Sequence, residues 1–429
     1  MRNQLKLQLI SELIDTNDQH KIKIVSVIGL GGSGKTTLAK LVYNDGNIIK
    51  KHFQVILWVH VSREFVVENL VKKLFEAIDG DKADHHASQR MSRIISNKLA
   101  TKKFLLVLDD VWTEDHLQWE QFMVNLMGGA PGSSILLTTR NRKVAEAMDS
   151  AYTHDLPLLS EEDSWNVFLQ SFGRALDALD LEFRQVGTDI VKKCGGVPLA
   201  IKVLAGALHG MKRIEEWQSI RDNNLLDVED EQHRVSNCLL LSYVHLPHHL
   251  KQCFTHCSIF PRGYVINRRL LISQWIAHGF INPTNQAQHP EDVGIDYFES
   301  LLNAGFLQDL KQYDDIFGVE ITCKMHDLLH DLSRQIVHDE LVSEIATIDQ
   351  IKRCRYLSLT SGTREVQSEL FRKMVESKVF AKVRALYFSM ENIAFDKSTY
   401  KWCCVRTIIL ERIRSSSVPF LVSKFEHLG

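Results

Sequence analysis

Residues 29–37 read Gly29-Leu30-Gly31-Gly32-Ser33-Gly34-Lys35-Thr36-Thr37, between the apolar run Ile24-Val25-Ser26-Val27-Ile28 and the helix-like Leu38-Ala39-Lys40-Leu41-Val42-Tyr43. The spacing G-x-x-x-x-G-K-[ST] is met by Gly29, Gly34, Lys35 and Thr36, in the strand, glycine loop, helix context that gives the motif its meaning. Glycines let backbone N–H groups curl around phosphate oxygens, and the following helix offers its positive N-terminal end. Lys35 supplies a point charge for β- and γ-phosphates, and Thr36 a hydroxyl for Mg²⁺. The stretch predicts a P-loop that binds a nucleotide.

Around it, residues 1–150 alternate β-rich runs at 22–28, 54–61, 103–109 and 134–138 with helical stretches. Such alternation predicts an α/β fold, a parallel sheet with helices on both faces. Phe104-Leu105-Leu106-Val107-Leu108 is apolar throughout, as a central parallel strand should be. It ends in Asp109-Asp110, at the end of the strand where ligands bind in open α/β sheets. One carboxylate there can hold Mg²⁺ through water and the second can orient an attacking water; the plainer alternative is a helix cap or turn. The strand Ser134-Ile135-Leu136-Leu137-Thr138-Thr139 ends in Arg140. That arginine either senses a γ-phosphate or is an ordinary surface residue.

The 429 residues predict two to four domains. An apolar content of 45%, a charged content of 24% and a net charge of −2 give no global preference for nucleic acid or membrane. Eight cysteines form no regular framework, and the charged, amphipathic N-terminus is not a signal peptide. No apolar stretch is long enough for a membrane span. The one Asn-x-Thr sequence, Asn282-Pro283-Thr284, is disqualified by its proline. These features predict a reducing, cytoplasmic setting. Cys253 and Cys257 lack further ligands at metal spacing and read as buried structural thiols.

Residues 160–235 lose the β pattern, and Trp165, Phe168, Leu169 and Phe172 recur at helical spacing. Cys194-Gly195-Gly196-Val197-Pro198-Leu199-Ala200 reads as a helix–loop–helix joint with proline at the second helix start. Residues 236–345 also read as helical, and Met325-His326-Asp327 opens a helix that Asp327 can cap. From residue 354 the pattern L-x-x-L-x-L recurs as Cys354-Leu357-Leu359, Val383-Leu386-Phe388 and Val405-Ile408-Leu410, at intervals of 29 and 22 residues. These intervals suit leucine-rich repeats; the alternative is simply short strands. Residues 346–429 carry 15 Lys/Arg against 8 Asp/Glu, while 245–345 carry 7 against 13. The opposite balances predict that the C-terminal segment docks on the acidic one.

Together the motifs resemble the NB-ARC module of plant nucleotide-binding leucine-rich-repeat disease resistance receptors. After the P-loop come Phe53 with Trp58-Val59-His60-Val61-Ser62, then Leu105 through Asp109-Asp110-Val111-Trp112, and Gly132-Ser133-Ser134 through Thr139-Arg140. Gly195-Gly196-Val197-Pro198-Leu199-Ala200, Cys253-Phe254 through Phe260-Pro261, Trp275 through Phe280, and Met325-His326-Asp327 follow in family order. Trp112 and the Cys-Phe…Phe-Pro block resemble the branch with an N-terminal coiled-coil domain.

The resemblance implies four parts: a P-loop nucleotide-binding domain at 1–150, a helical domain at 151–235, a winged-helix domain at 236–345 and the start of a leucine-rich-repeat solenoid at 346–429. It implies a switch of plant immunity, closed with ADP and open with ATP, with slow hydrolysis. Gly29, Gly31, Gly32, Ser33, Gly34, Lys35, Thr36 and Thr37 would hold phosphates. Thr36 and Asp109 would hold Mg²⁺, Asp110 would position water, and Arg140 would read the γ-phosphate. Pro198 would pack on adenine, and His326 would touch the β-phosphate of ADP. Implied partners are the chain's own repeats and other receptor chains on activation.

The family places an adapter domain and a short Val-Gly adenine-contacting segment ahead of residue 1, so a truncated, partial or decoy-like form is expected. Competing readings are a turnover ATPase and a DNA-binding regulator, the latter opposed by the acidic balance of 245–345.

Overall fold

The computed structural model of the chain describes residues 2–15, 22–61, 65–80, 88–173, 180–283, 288–315, 318–343, 353–359, 382–389 and 404–411. Ser62 and Thr284, named above, and most of 346–429 lie outside them. The residues form two units, one reaching Ser160 and including Val197–Leu199, the other made of Glu161–Gly196 and the chain from Ala200 onward.

Five strands build the first unit: Ile22–Ile28 (β1), Val55–His60 (β2), Phe104–Val111 (β3), Ser133–Thr139 (β4) and Tyr152–Asp155 (β5). Their order is β2-β3-β4-β1-β5, and every pair is parallel. Strand alternation divides the core. Phe104, Leu106, Leu108, Ile135 and Leu137 pack on one face with Phe75, Trp119 and Phe122. Leu105, Val107 and Leu136 pack on the other with Val25, Leu38 and Val42. All eight residues of β3 are buried, so the chain needs helices on both faces, as expected.

The N-terminal helix Arg2–Ile14 covers part of the second face with Leu9, Ile10 and Leu13. Ser134 Oγ donates to Leu13 O at 2.7 Å, and Lys6 pairs with Asp45 at 2.8 Å. The edge strand β5 was not visible in the pattern; Tyr-Thr-His-Asp is half exposed and has no apolar run.

The second unit opens with the helices Glu161–Phe172 and Leu181–Lys193. Gly195 and Gly196, at φ 61 and 72, turn the chain after them, and Pro198 is the first residue of the next helix, as expected. Residues 236–345 are not helical throughout. Ile266–Asn267 (β6), Gln308–Asp315 (β7) and Gly318–Lys324 (β8) form an antiparallel sheet in the order β6-β8-β7. The hairpin was hidden because Gln-Asp-Leu-Lys-Gln-Tyr-Asp-Asp lacks a buried alternate face. The helix Asp327–Ile336 is capped by His326, whose Nδ1 accepts from Leu328 N–H at 3.1 Å, and not by Asp327, which is its first residue. Cys253 and Cys257 are buried, the latter's thiol donating to Cys253 O.

Leu341–Val342 (β9), Tyr356–Leu359 (β10), Ala385–Ser389 (β11) and Thr407–Glu411 (β12) pair as a parallel ladder. Its contact with the preceding helices is made mainly by buried groups: Ser358 Oγ donates to Ile259 O at 2.7 Å, and His278 Nε2 lies 2.9 Å from Thr407 Oγ1. The ion pairs Arg353–Asp339 and Arg355–Glu340, at 3.2 and 3.1 Å, are exposed and therefore contribute little each. No helix among the described residues is long and apolar enough to cross a membrane.

Candidate functional site

The site is built where β1 gives way to the helix Lys35–Tyr43. Gly29 N–H donates to Thr139 O at 3.2 Å, tying the loop's start to β4. Gly32 and Gly34 have φ 77 and 98. A Cβ on Gly32 would stand 2.8 Å from Leu199 Cβ, and one on Gly34 would stand 2.3 Å from Arg2 Nη1. Only glycine fits either position. Gly31 and Ser33 lie between these residues, and Ser33 N–H donates to Leu30 O. The helix has no side-chain cap, so the first N–H groups, those of Lys35, Thr36 and Thr37, have no acceptor within it.

Lys35 is buried, and its Nζ donates to Gly29 O and Leu30 O, both at 2.8 Å. Burial, then the charge of Arg140, brings its ammonium down to about 8, against the opposing pull of Asp110 and Asp109. Asp109, at the carboxyl end of β3, accepts on Oδ1 from Thr36 Oγ1 at 2.9 Å and Thr138 Oγ1 at 2.7 Å. His60 Nδ1 stands 3.6 Å from its Oδ2. Burial works against the Asp109 charge, but His60 and the two hydroxyls outweigh it and hold the carboxyl below its usual range.

Asp110 has φ 57, and the β3–β4 register breaks between Leu108 and Val111. This break in the strand lets neighbouring carboxylates, which regular alternation would send to opposite faces, both act on Lys35. Asp110 N–H donates to Thr138 Oγ1 at 2.9 Å. Its carboxylate accepts from Trp112 Nε1 at 3.1 Å and from Arg140 Nε and Nη2 at 3.3 and 3.4 Å. The Arg140 guanidinium also lies over the Trp112 ring, 4.7 Å from its centre. Burial opposes the Asp110 charge, yet Arg140 and the Trp112 N–H win and lower its carboxyl.

The geometry thus gathers the loop, Lys35, Thr36, Asp109, Asp110 and Arg140. Pro198 belongs to the same unit, and Leu199 N–H donates to Gly32 O at 3.3 Å. His326 belongs to the second unit. Sequence reasoning missed three contributors. Thr138 bridges both aspartates; a hydroxyl inside a buried strand was the available signal. Arg2 donates to Ser33 O at 2.5 Å, a contact without a local pattern. His60 ends β2 in register with Asp109. Chemically, the loop and Lys35 suit phosphate oxygens, and the Thr36–Asp109 oxygens are hard donors of the kind Mg²⁺ takes.

Residues 2–177 match the NB-ARC domain family, and residues 259–333 match the winged helix domain of disease resistance proteins. The chain belongs to the NB-ARC family. The family reading drawn from the ordered motifs therefore holds, and the P-loop site is a nucleotide site of the NB-ARC kind. Disease resistance protein RGA2 of Solanum bulbocastanum is 34% identical over 363 residues, covering 84% of this chain and 36% of that protein. Disease resistance protein RPP13 of Arabidopsis thaliana is 31% identical over 333 residues, covering 76% of this chain and 39% of that protein. The chain thus spans little more than a third of the length of these relatives.

Proposed function

We propose that this NB-ARC chain is a disease-resistance signalling switch, set by ADP in its resting state and ATP in its active state, with slow hydrolysis in the cytoplasm. In this reading residues 29–37 hold the phosphates, Thr36 and Asp109 hold Mg²⁺, Asp110 positions water, Pro198 packs on adenine and His326 meets the β-phosphate of ADP. The division at 150, 235 and 345, with repeats from 346, belongs to the same reading, as do the repeats and other receptor chains as partners.

The supporting observation is the Asp110–Arg140 pair. A ligand shifts an equilibrium only if it contacts two states differently. Arg140, now on Asp110 and Trp112, can exchange the carboxylate for a γ-phosphate, which ATP has and ADP lacks. Arg140→Ala should therefore weaken ATP at least tenfold while leaving ADP within about threefold, since a charged hydrogen bond contributes about 1.5–3 kcal/mol. Equal losses for both nucleotides would contradict the proposal. So would rapid steady-state ATP turnover, which belongs to a working ATPase.

A further inference from the structure

The second unit brings one cation to two carboxylates. The helix Asp327–Ile336 sets Asp327 and Asp331 one turn apart on one face. Like charges at that spacing repel unless a cation lies between them. Arg262 does so: its Nη1 is 3.9 Å from Asp327 Oδ2, and its Nη2 donates to Asp331 Oδ1. The Arg262 side chain is only 21% exposed and that of Asp327 only 13%, so solvent screens their attraction less than it would on an open surface. One residue along, His330 Nε2 donates to Phe260 O at 2.8 Å. The segment 260–262 and this helix face are therefore joined by a charged fork and a buried hydrogen bond. The helix begins at His326, whose ring is fixed by accepting from Leu328 N–H.

We propose that Arg262 is the positioning residue of the His326–Asp327 turn, and that Asp327 acts on nucleotide state through Arg262 instead of through the nucleotide itself. The inference rests on the proposed reading of His326 as an ADP contact. Loss of the fork frees the first turn of the helix, and His326 then no longer stands where bound ADP needs it.

The test uses the full chain with a fluorescent ADP analogue and the variants Arg262→Gln, Asp327→Asn, their combination, and Arg262→Lys. Each single neutral variant should speed release of the analogue about tenfold, within the range of ordinary allosteric coupling. The double variant should be no faster than either single, because both remove the same contact. Arg262→Lys keeps the charge without the planar fork and should fall between; it also serves if Arg262→Gln fails to fold. Melting midpoints taken in parallel separate a structural role from a positioning one. A lowered midpoint with unchanged release, or fully additive release rates, would overturn the proposal alone. A wild-type chain that binds no analogue would overturn the switch reading, and the proposal with it.

Discussion

Nucleotide binding should take up a proton above pH 8, and the proton should go to Lys35. An ordinary lysine titrates at 10.5, but burial and then Arg140 bring this one to about 8. Phosphates arriving at Nζ favour the charged form and return the pKa towards its ordinary range. The free site is then about one-quarter protonated at pH 8.5, so binding should take up about 0.75 proton, against about 0.1 at pH 7. By the same linkage the affinity should fall about tenfold between pH 7 and pH 9. Titration calorimetry in two buffers of different ionisation enthalpy reads the uptake directly. The terminal phosphate ionises well below pH 8.5, and Asp109 and Asp110 are held low. Lys35→Arg, which stays charged throughout, should abolish the uptake. Equal uptake at both pH values, or an unchanged uptake in Lys35→Arg, would refute the reasoning.

Three further outcomes are expected. Thr138→Val removes the donor to Asp109 and the acceptor of Asp110 N–H, and should cost about 2–4 kcal/mol in urea unfolding; a cost under about 0.5 would show that the bridge is dispensable. Gly206→Ala should destabilise by about 1–3 kcal/mol despite better helix propensity, because its Cβ would lie 2.3 Å from Ala304 Cα; a rise in melting temperature would refute the close approach. Burial lowers His256 from 6.5 to about 4 against the opposing bond from Gln274, and neighbouring His278, facing His256, Arg406 and Arg384, falls to about 2. The unfolded chain therefore binds more protons between those values. Stability is full above pH 6.5 and should be about 2 kcal/mol lower at pH 5 from His256 alone. His256→Gln should flatten that slope in denaturation measured from pH 7 to 5, and an unchanged slope would place the acid sensitivity elsewhere.

Strands β1 to β4 were legible because their largely apolar runs left little doubt about burial. β5 was not, since an edge strand of four polar-leaning residues has nothing to alternate. The hairpin β7–β8 escaped for a similar reason: it is largely exposed, so its side chains report solvent and not sheet. At the site, the glycine loop, Lys35, Thr36 and both aspartates could be read from spacing, because phosphate chemistry dictates their order along the chain. Thr138 and His60 could not, because their value comes from register with β3. The helix start at 326–327 was placed correctly in sequence but its cap was misassigned. A histidine imidazole can accept a backbone N–H as a carboxylate does, and composition alone favoured the aspartate.

The central claim, an ADP-preferring nucleotide switch, is tested most directly by the affinities of the purified chain and of Lys35→Ala for ADP and ATP with Mg²⁺. The wild type should bind ADP more tightly than ATP, and Lys35→Ala should weaken ADP at least tenfold, given about 1.5–3 kcal/mol for a charged hydrogen bond. Equal ADP binding by wild type and Lys35→Ala, or no preference between the nucleotides, would contradict it.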